Sequence, residues 1–78
     1  MNDIVFDHEL DCKGLNCPLP ILKTNKQITS MSSGEVLKMI ATDPGSINDM
    51  NSWARQTGNE LLNHLENDGE YIFHIRKV

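Results

Sequence analysis

The sequence has few cysteines, no dense basic run and no long apolar run, and each absence excludes a class of protein. Its two cysteines, Cys12 and Cys17, are too few for a disulfide framework, and a reducing cytosol would keep both as thiols. Their spacing, with four residues between them, matches neither the closer pairs of zinc knuckles nor those of thioredoxin-like redox centres. A chemical role is therefore a better interpretation of these thiols than a structural one.

The net charge and the hydropathy argue against nucleic acid and membranes as partners. The chain carries a net charge of −4 at pH 7, with its basic residues scattered. Because phosphate binding needs concentrated positive charge, this balance argues against nucleic acid as the main partner. No stretch approaches the roughly 18 apolar residues of a membrane span, and the start at Met1 lacks the pattern of a signal peptide. We therefore expect a cytoplasmic protein with no membrane partner.

The length and composition predict one small domain. A chain of 78 residues can bury only one modest core, and 38% hydrophobic with 23% charged residues is typical of an ordinary globular protein. We expect a single domain over residues 1–78. Residues 1–7 have no clear period and are interpreted as an N-terminal arm that could extend the first strand.

Hydrophobic periodicity and turn residues predict six elements in the order β-α-β-α-β-β. The predicted strands cover 8–12, 35–42, 59–66 and 70–76, and the predicted helices cover 18–31 and 46–57. Ser46 is the expected N-cap of the second helix, Gly58 closes that helix, and the Asp68-Gly69 pair marks a hairpin. This order predicts an α+β fold, a two-layer sandwich with two helices on one face of a four-stranded mixed sheet.

Cys17 stands where the first strand passes through a turn into the first helix. A helix N-terminus carries partial positive charge and unpaired N–H groups, which favour the reactive thiolate over the thiol. Lys13 and Lys23 could add positive charge nearby, so we expect a lowered pKa for Cys17. A buried structural cysteine is the commoner fate of a free thiol, but a helix mouth is seldom fully buried.

Two prolines fix where this helix begins. Pro18 and Pro20 fall in the first turn, where a missing N–H has no intrahelical partner to lose. They leave the N–H groups of Leu19 and Ile21 as the expected donors nearest to the thiol.

The run from Leu10 to Pro20, LDCKGLNCPLP, resembles the signature of the TusA/SirA family of small sulfur-carrier proteins, whose mark is a C-P-x-P motif at the start of the first helix. Residues 33–37 are similar to the family's turn into its second strand, 42–45 to its D-P turn into the second helix, and 75–77 to its C-terminal strand. The resemblance covers essentially the whole chain after Asp7.

The resemblance implies a cytoplasmic sulfurtransferase that accepts sulfane sulfur as a persulfide on Cys17 and passes it to an acceptor protein. The implied donor is of the cysteine desulfurase or rhodanese type, and the relay would serve tRNA thiolation, cofactor sulfuration or dissimilatory sulfur oxidation. An acceptor thiolate would attack the terminal sulfur of the persulfide. We expect no cofactor besides this covalent sulfur, and no metal.

Four residues are predicted to position the loop without taking part in bond making: Asp11, Gly14, Pro18 and Pro20. Asp11 would accept hydrogen bonds from turn N–H groups, and Asp43 would set its own turn through its side chain. The basic residues could form a docking surface for acidic partners or be ordinary solvated side chains, and the sequence leaves both open. These residues are Lys13, Lys23, Lys26, Arg55, Arg76 and Lys77.

Other interpretations of the same residues remain open. Cys12 could be a resolving thiol, but we favour a small residue at a strand end, because a carrier that resolves its own persulfide would lose its cargo. A dithiol redox protein would need both cysteines in an accessible loop with Cα atoms within about 7 Å. A regulatory or RNA/DNA-binding module is the other alternative. Three histidines are interpreted as solvated strand residues rather than metal ligands: His8, His64 and His74.

Overall fold

The computed structural model describes residues 4–78 and contains six elements. They are β1 (His8–Cys12), α1 (Leu19–Thr29), β2 (Val36–Ala41), α2 (Ser46–Thr57), β3 (Glu60–Asn67) and β4 (Glu70–Arg76). The predicted order is confirmed, and each boundary lies within two residues of its predicted place. Neither helix in this part of the chain is long and apolar enough to cross a membrane.

The four strands form one mixed sheet in the order β1-β2-β4-β3. β1 runs parallel to β2, whereas the other neighbours are antiparallel. In β2, Leu37, Met39 and Ala41 are fully buried and the residues between them are only half buried. Because alternate side chains of a strand point to opposite faces, one face of the sheet is packed and the other is not.

The core lies between that packed face and the two helices, which confirms the predicted two-layer sandwich. Leu37 and Phe73 from the sheet are fully buried in one cluster with Ile28 from α1 and Met50 from α2. α1 lies over β1 and β2, and α2 contacts β3. The helices therefore cover one side of the sheet together.

The C-terminal end of α2 and the turn between β3 and β4 have the residue types expected there, but the start of α2 differs from the prediction. Gly58 ends α2 in the left-handed region at φ 78°, and Asp68 and Gly69 both have positive φ, as a type I′ hairpin turn requires. The N-cap of α2, however, is Gly45 and not Ser46. The Gly45 carbonyl already accepts the first helical hydrogen bond, so the Ser46 hydroxyl lies inside the helix and is buried.

The face of the sheet opposite the helices is partly covered by the segment before β1. The Phe6 ring lies 6.2 Å from the ring of His74, and the Lys38 ammonium group lies 5.2 Å from the Phe6 centroid. His74 is only 4% exposed, and its Nδ1 is 2.8 Å from Asn63 Oδ1. The prediction of a solvated His74 is therefore wrong, because this cover removes it from water. Burial, with the charge of Lys38, lowers the pKa of His74.

Just before β1 begins, the same segment is hydrogen-bonded to β2. The Asp7 N–H donates to the Val36 carbonyl at 2.8 Å, and the Val36 N–H donates to Asp7 Oδ2 at 2.8 Å. Residues 1–3 of the expected N-terminal arm lie outside the described residues.

Candidate functional site

Cys17 lies in the β1–α1 loop, which is fastened to the β2–α2 loop beside it. The Cys17 N–H donates to Asp43 Oδ2 at 2.9 Å, and the Gly14 N–H donates to Thr42 Oγ1 at 2.9 Å. β1 and β2 are parallel neighbours whose last residues, Cys12 and Ala41, are paired, so both loops leave the same edge of the sheet. Two side chains that follow β2 therefore hold the backbone of the loop that carries the exposed Cys17.

The turn that leads to Cys17 is closed by local bonds. The Lys13 N–H donates to Asp11 Oδ1 at 2.9 Å, and the Leu15 N–H donates to the Cys12 carbonyl at 3.2 Å. Gly14 adopts φ 80°, a conformation that strains a residue with a side chain. Asp11 and Gly14 therefore both shape this turn.

At the start of α1, a backbone N–H group that was expected to face the thiol is already hydrogen-bonded elsewhere. Pro18 is the N-cap, and the Cys17-Pro18 peptide bond is cis. The Leu19 N–H donates to the Asn16 carbonyl at 2.9 Å, so the expectation that it serves the thiol is wrong. The Leu19 N–H is thus hydrogen-bonded within the turn, and the Cys17 N–H is hydrogen-bonded to Asp43.

An apolar surface lies on α1 next to this loop. Pro20 is buried, whereas Leu19 and Leu22 are 47% and 58% exposed. Leu19 is two residues from the exposed Cys17 in the sequence. A molecule that approached the thiol along α1 would therefore meet apolar as well as polar groups.

The electrostatic environment of Cys17 differs from the prediction. The pKa of its thiol is raised, first by a hydrogen-bonding interaction with the Asp49 carboxylate, then by lost hydration, and then by the charges of Asp49 and Asp43. The expected lowering by Lys13 and Lys23 is therefore wrong, because carboxylates rather than lysines act on this sulfur. The charge of Lys23 acts on Cys12 instead.

The two carboxylates converge on Gly45. A Cβ atom at that residue would lie 3.7 Å from Asp43 Oδ1 and 3.8 Å from Asp49 Oδ2. Asp43 also accepts the Gly45 N–H at 3.2 Å, and the Asp49 N–H donates to the Gly45 carbonyl at 3.0 Å. Asp49 lies in the first turn of α2, where the helix dipole stabilises an anion. One of these two carboxylates, Asp43, also accepts the Cys17 N–H.

The candidate docking residues do not share one environment. Lys23 and Lys26 line a shallow groove on α1 with Leu10, on the β1 side of the sheet. Arg55 lines a second groove between α2 and β3, at the other edge of the sheet. The remaining three basic residues differ again: Arg76 pairs with Glu60, the Lys77 Nζ donates to the Met31 carbonyl at 2.5 Å, and Lys13 is exposed in the loop before Cys17.

Cys12 is fully buried at the end of β1, inside the core cluster. Burial raises the pKa of its thiol, Lys23 opposes this and Asp11 adds to it. A thiol without solvent contact cannot meet a partner in the folded protein. This placement contradicts the redox-pair alternative, which needs both cysteines in an accessible loop.

The histidines do not form a metal site in the described part of the chain. His8 Nε2 lies 3.0 Å from Glu35 Oε1, His64 is exposed near Phe73, and His74 is buried on the opposite face. Among residues 4–78, no group of three or more His, Cys, Asp or Glu side chains is placed to hold a metal ion.

Replacing Asp43 with alanine should loosen the site and moderately destabilise the fold. The change removes the acceptor of the Cys17 and Gly45 N–H groups, and lost bonds to a charged group cost about 1–3 kcal/mol. Urea unfolding would measure this loss of free energy of unfolding. The control is Glu66→Ala, which truncates an exposed carboxylate on β3. An Asp43→Ala variant as stable as the wild type would contradict the assigned bonds.

Comparison with known proteins assigns the chain to a family. The family model described as "Sulfurtransferase TusA" matches residues 8–77. The chain belongs to the TusA family. It is 57% identical over 72 residues to the sulfur carrier protein TusA of Allochromatium vinosum, covering 92% of this chain and 95% of that protein. It is also 42% identical over 77 residues to the sulfur carrier protein TusA of Pseudomonas entomophila, covering 99% and 96%.

A solved structure supports the fold of this TusA-family chain. The crystal structure of a SirA-like protein from Desulfitobacterium hafniense superposes with a TM-score of 0.80, covering 90% of this chain and 96% of that one at 22% identity. The βαβαββ fold predicted from the sequence is thereby confirmed. The predicted family is confirmed by the family model and by the relatives named above.

Two residues of the site were missed in the sequence. Thr42 directly precedes Asp43, and its position after a strand with a predicted turn was a usable signal for loop hydrogen bonding. Asp49 gave no such signal. An acidic residue in the first turn of a helix is common for reasons of the helix dipole alone.

Proposed function

We propose that this TusA-family chain is a sulfur carrier, which accepts sulfane sulfur as a persulfide on Cys17 and passes it to an acceptor protein. The supporting observation is the exposure of Cys17 in a loop whose backbone is held by side-chain bonds, in a chain closely similar to named sulfur carrier proteins. An exposed thiol on a fixed loop can reach a second protein. A buried one, such as Cys12, cannot.

The proposed loading step transfers one sulfur atom without a net redox change. The Cys17 thiolate attacks the terminal sulfur of a donor persulfide, a new sulfur–sulfur bond forms, and that of the donor breaks. The cysteine sulfur of the donor leaves as a thiolate and takes up one proton, which balances the proton that Cys17 lost. Delivery is the same exchange with a thiol of the acceptor as the attacking group. The chain is then a sulfurtransferase that turns over only between two partners.

The proposed partners follow from this chemistry. The donor must carry sulfane sulfur on a cysteine, as proteins of the cysteine desulfurase or rhodanese type do, and the acceptor is a further protein of a sulfur relay. We propose that both steps take place in the cytoplasm, where thiols stay reduced. The scattered basic side chains give no observation that favours a nucleic-acid-binding module.

The experiment is intact-mass measurement after incubation with a sulfane-sulfur donor. We expect the wild-type chain to gain one sulfur atom and Cys17→Ser to gain none. Cys12→Ala is the matched control, because it removes the other thiol and should still load. Loading that persists in Cys17→Ser would refute the proposed role of Cys17.

A further inference from the structure

One edge of the sheet is open, and a groove lies beside it. β1 is the outermost strand in the order β1-β2-β4-β3, and among the described residues it pairs with β2 alone. An edge strand presents unpaired backbone N–H and C=O groups, to which a further strand can add. α1 packs over β1, and the groove between them, here the α1–β1 groove, is lined by five residues: Leu10, Lys23, Lys26, Gln27 and Ser30.

The α1–β1 groove is basic although the chain as a whole is acidic. Lys23 and Lys26 are both exposed, and α1 contains no acidic residue. No ion pair within residues 4–78 includes either lysine. Leu10 is only half buried, so the groove also offers apolar surface. An extended backbone with carboxylate side chains would therefore match both the open edge and the groove.

We propose that β1 and the α1–β1 groove bind an extended segment of a partner protein, which adds to the four-stranded sheet as a further strand and carries acidic side chains at alternate positions. Because alternate side chains of a strand lie on one face, all the acidic ones would lie on the side of Lys23 and Lys26. This interaction goes beyond the proposed carrier function and does not depend on the chemistry of Cys17.

A second copy of this chain fits the open edge poorly. Leu10 packs against the core and Cys12 is buried within it, so Glu9 and Asp11 lie on the other face of β1, where both are exposed. If two β1 strands paired antiparallel with Leu10 opposite Leu10, each Glu9 would lie opposite an Asp11. Like charges at opposed positions destabilise a sheet. A segment with neutral or basic residues on that face avoids this repulsion.

The other edge of the sheet is less suited to an added strand. The pairing of β3 with β4 shifts its register between Leu61 and Asn63, whereas the pairing of β1 with β2 is continuous. Such an irregularity in an edge strand opposes further pairing. The groove beside β3 is lined by Arg55 and Glu60, which have opposite charges. The geometry and the charge therefore both favour β1.

Binding of a synthetic peptide tests the role of the lysines. The probe is a fluorescently labelled peptide in which glutamate alternates with threonine, and its anisotropy at low ionic strength reports binding to the full chain. We expect the wild type to bind it, and the variant with both Lys23→Gln and Lys26→Gln to bind about two- to thirtyfold more weakly, as loss of two exposed ion pairs predicts. Arg55→Gln, beside the other edge, should leave the affinity unchanged.

Two N-methylated forms of the probe test the backbone pairing. One carries methyl groups on the amide nitrogens of its glutamates and the other on those of its threonines, and the side chains stay the same. In a strand, the N–H groups of alternate residues point to the same side, so only one of the two sets faces β1. We expect one methylated peptide to bind as the unmodified probe does and the other to lose binding. Equal binding of the two overturns the proposed strand addition.

Amide hydrogen exchange then locates the bound peptide. We expect it to slow exchange in β1, over residues 8–12, and to leave β3 unchanged. No binding by the wild type, or slowed exchange in β3 alone, overturns the proposal. A dimer with a protected β1 in the absence of peptide would show that a second copy occupies the edge, and would also overturn it. Cys17→Ser should bind the peptide as the wild type does, so a failure of sulfur loading and a failure of peptide binding remain distinguishable.

Discussion

We expect iodoacetamide to modify Cys17 faster than Cys12 in the folded protein by a factor on the order of 10³ or more, because Cys12 reacts only when the core opens. Cys17 is exposed, whereas Cys12 has no solvent contact and lies in the cluster that joins both helices to the sheet. The raised pKa of Cys17 slows its reaction, but that effect leaves the sulfur within reach of the reagent.

Peptide mass spectrometry can measure both rates in one sample. Trypsin cleaves after Lys13, so Cys12 falls in peptide 1–13 and Cys17 in peptide 14–23. In denaturant the two thiols should react at similar rates, which is the internal control. Comparable rates in the native protein would contradict the burial of Cys12 and reopen the redox-pair interpretation.

Replacing Phe73 with alanine should lower the free energy of unfolding by about 3–5 kcal/mol, because it leaves a large cavity in the core. Phe73 is fully buried in β4 and lies in the same cluster as Leu37 and Met50. Small domains are stable by about 5–15 kcal/mol, so the loss could take most of this margin. Urea unfolding of the variant would measure it.

Phe6→Ala is the matched control for this change. It removes the same side chain from the opposite face of the sheet, where Phe6 is 39% exposed. We expect a clearly smaller loss, because less apolar surface returns to water. Equal losses in the two variants would contradict the placement of the core between the sheet and the helices.

The element order could be predicted from the sequence because its signals are local. The alternation of Leu37, Met39 and Ala41 marks the packed face of β2 without knowledge of its neighbours. Asp68 and Gly69 likewise favour a tight hairpin turn through their own backbone preferences. Such patterns predict elements and, through their order, the two-layer fold.

What could not be predicted depends on residues that meet only in the folded chain. Asp43 reaches the Cys17 N–H because the parallel pairing of β1 and β2 brings their following loops together. The sequence suggested lysines there because Lys13 is near Cys17 along the chain. His74 occupies an apparently solvated strand face, and only the fold places Phe6 over it.

The helix caps illustrate an error of one residue with a chemical consequence. Ser46 has the residue type of an N-cap, but Gly45 takes that place and Ser46 becomes buried. The N-cap is therefore two residues after Asp43, and the first turn holds Asp49, whose carboxylate raises the pKa of Cys17. Residue propensities alone could not decide whether Gly45 or Ser46 is the N-cap of this helix.

The most direct test of the central claim is to locate the transferred sulfur. After incubation with a sulfane-sulfur donor, alkylation and tryptic digestion, the extra sulfur should be found on peptide 14–23, which holds Cys17. It should disappear when an acceptor thiol is added before alkylation. An extra sulfur on peptide 1–13, which holds Cys12, or on neither peptide would contradict the claim that Cys17 is the carrier residue.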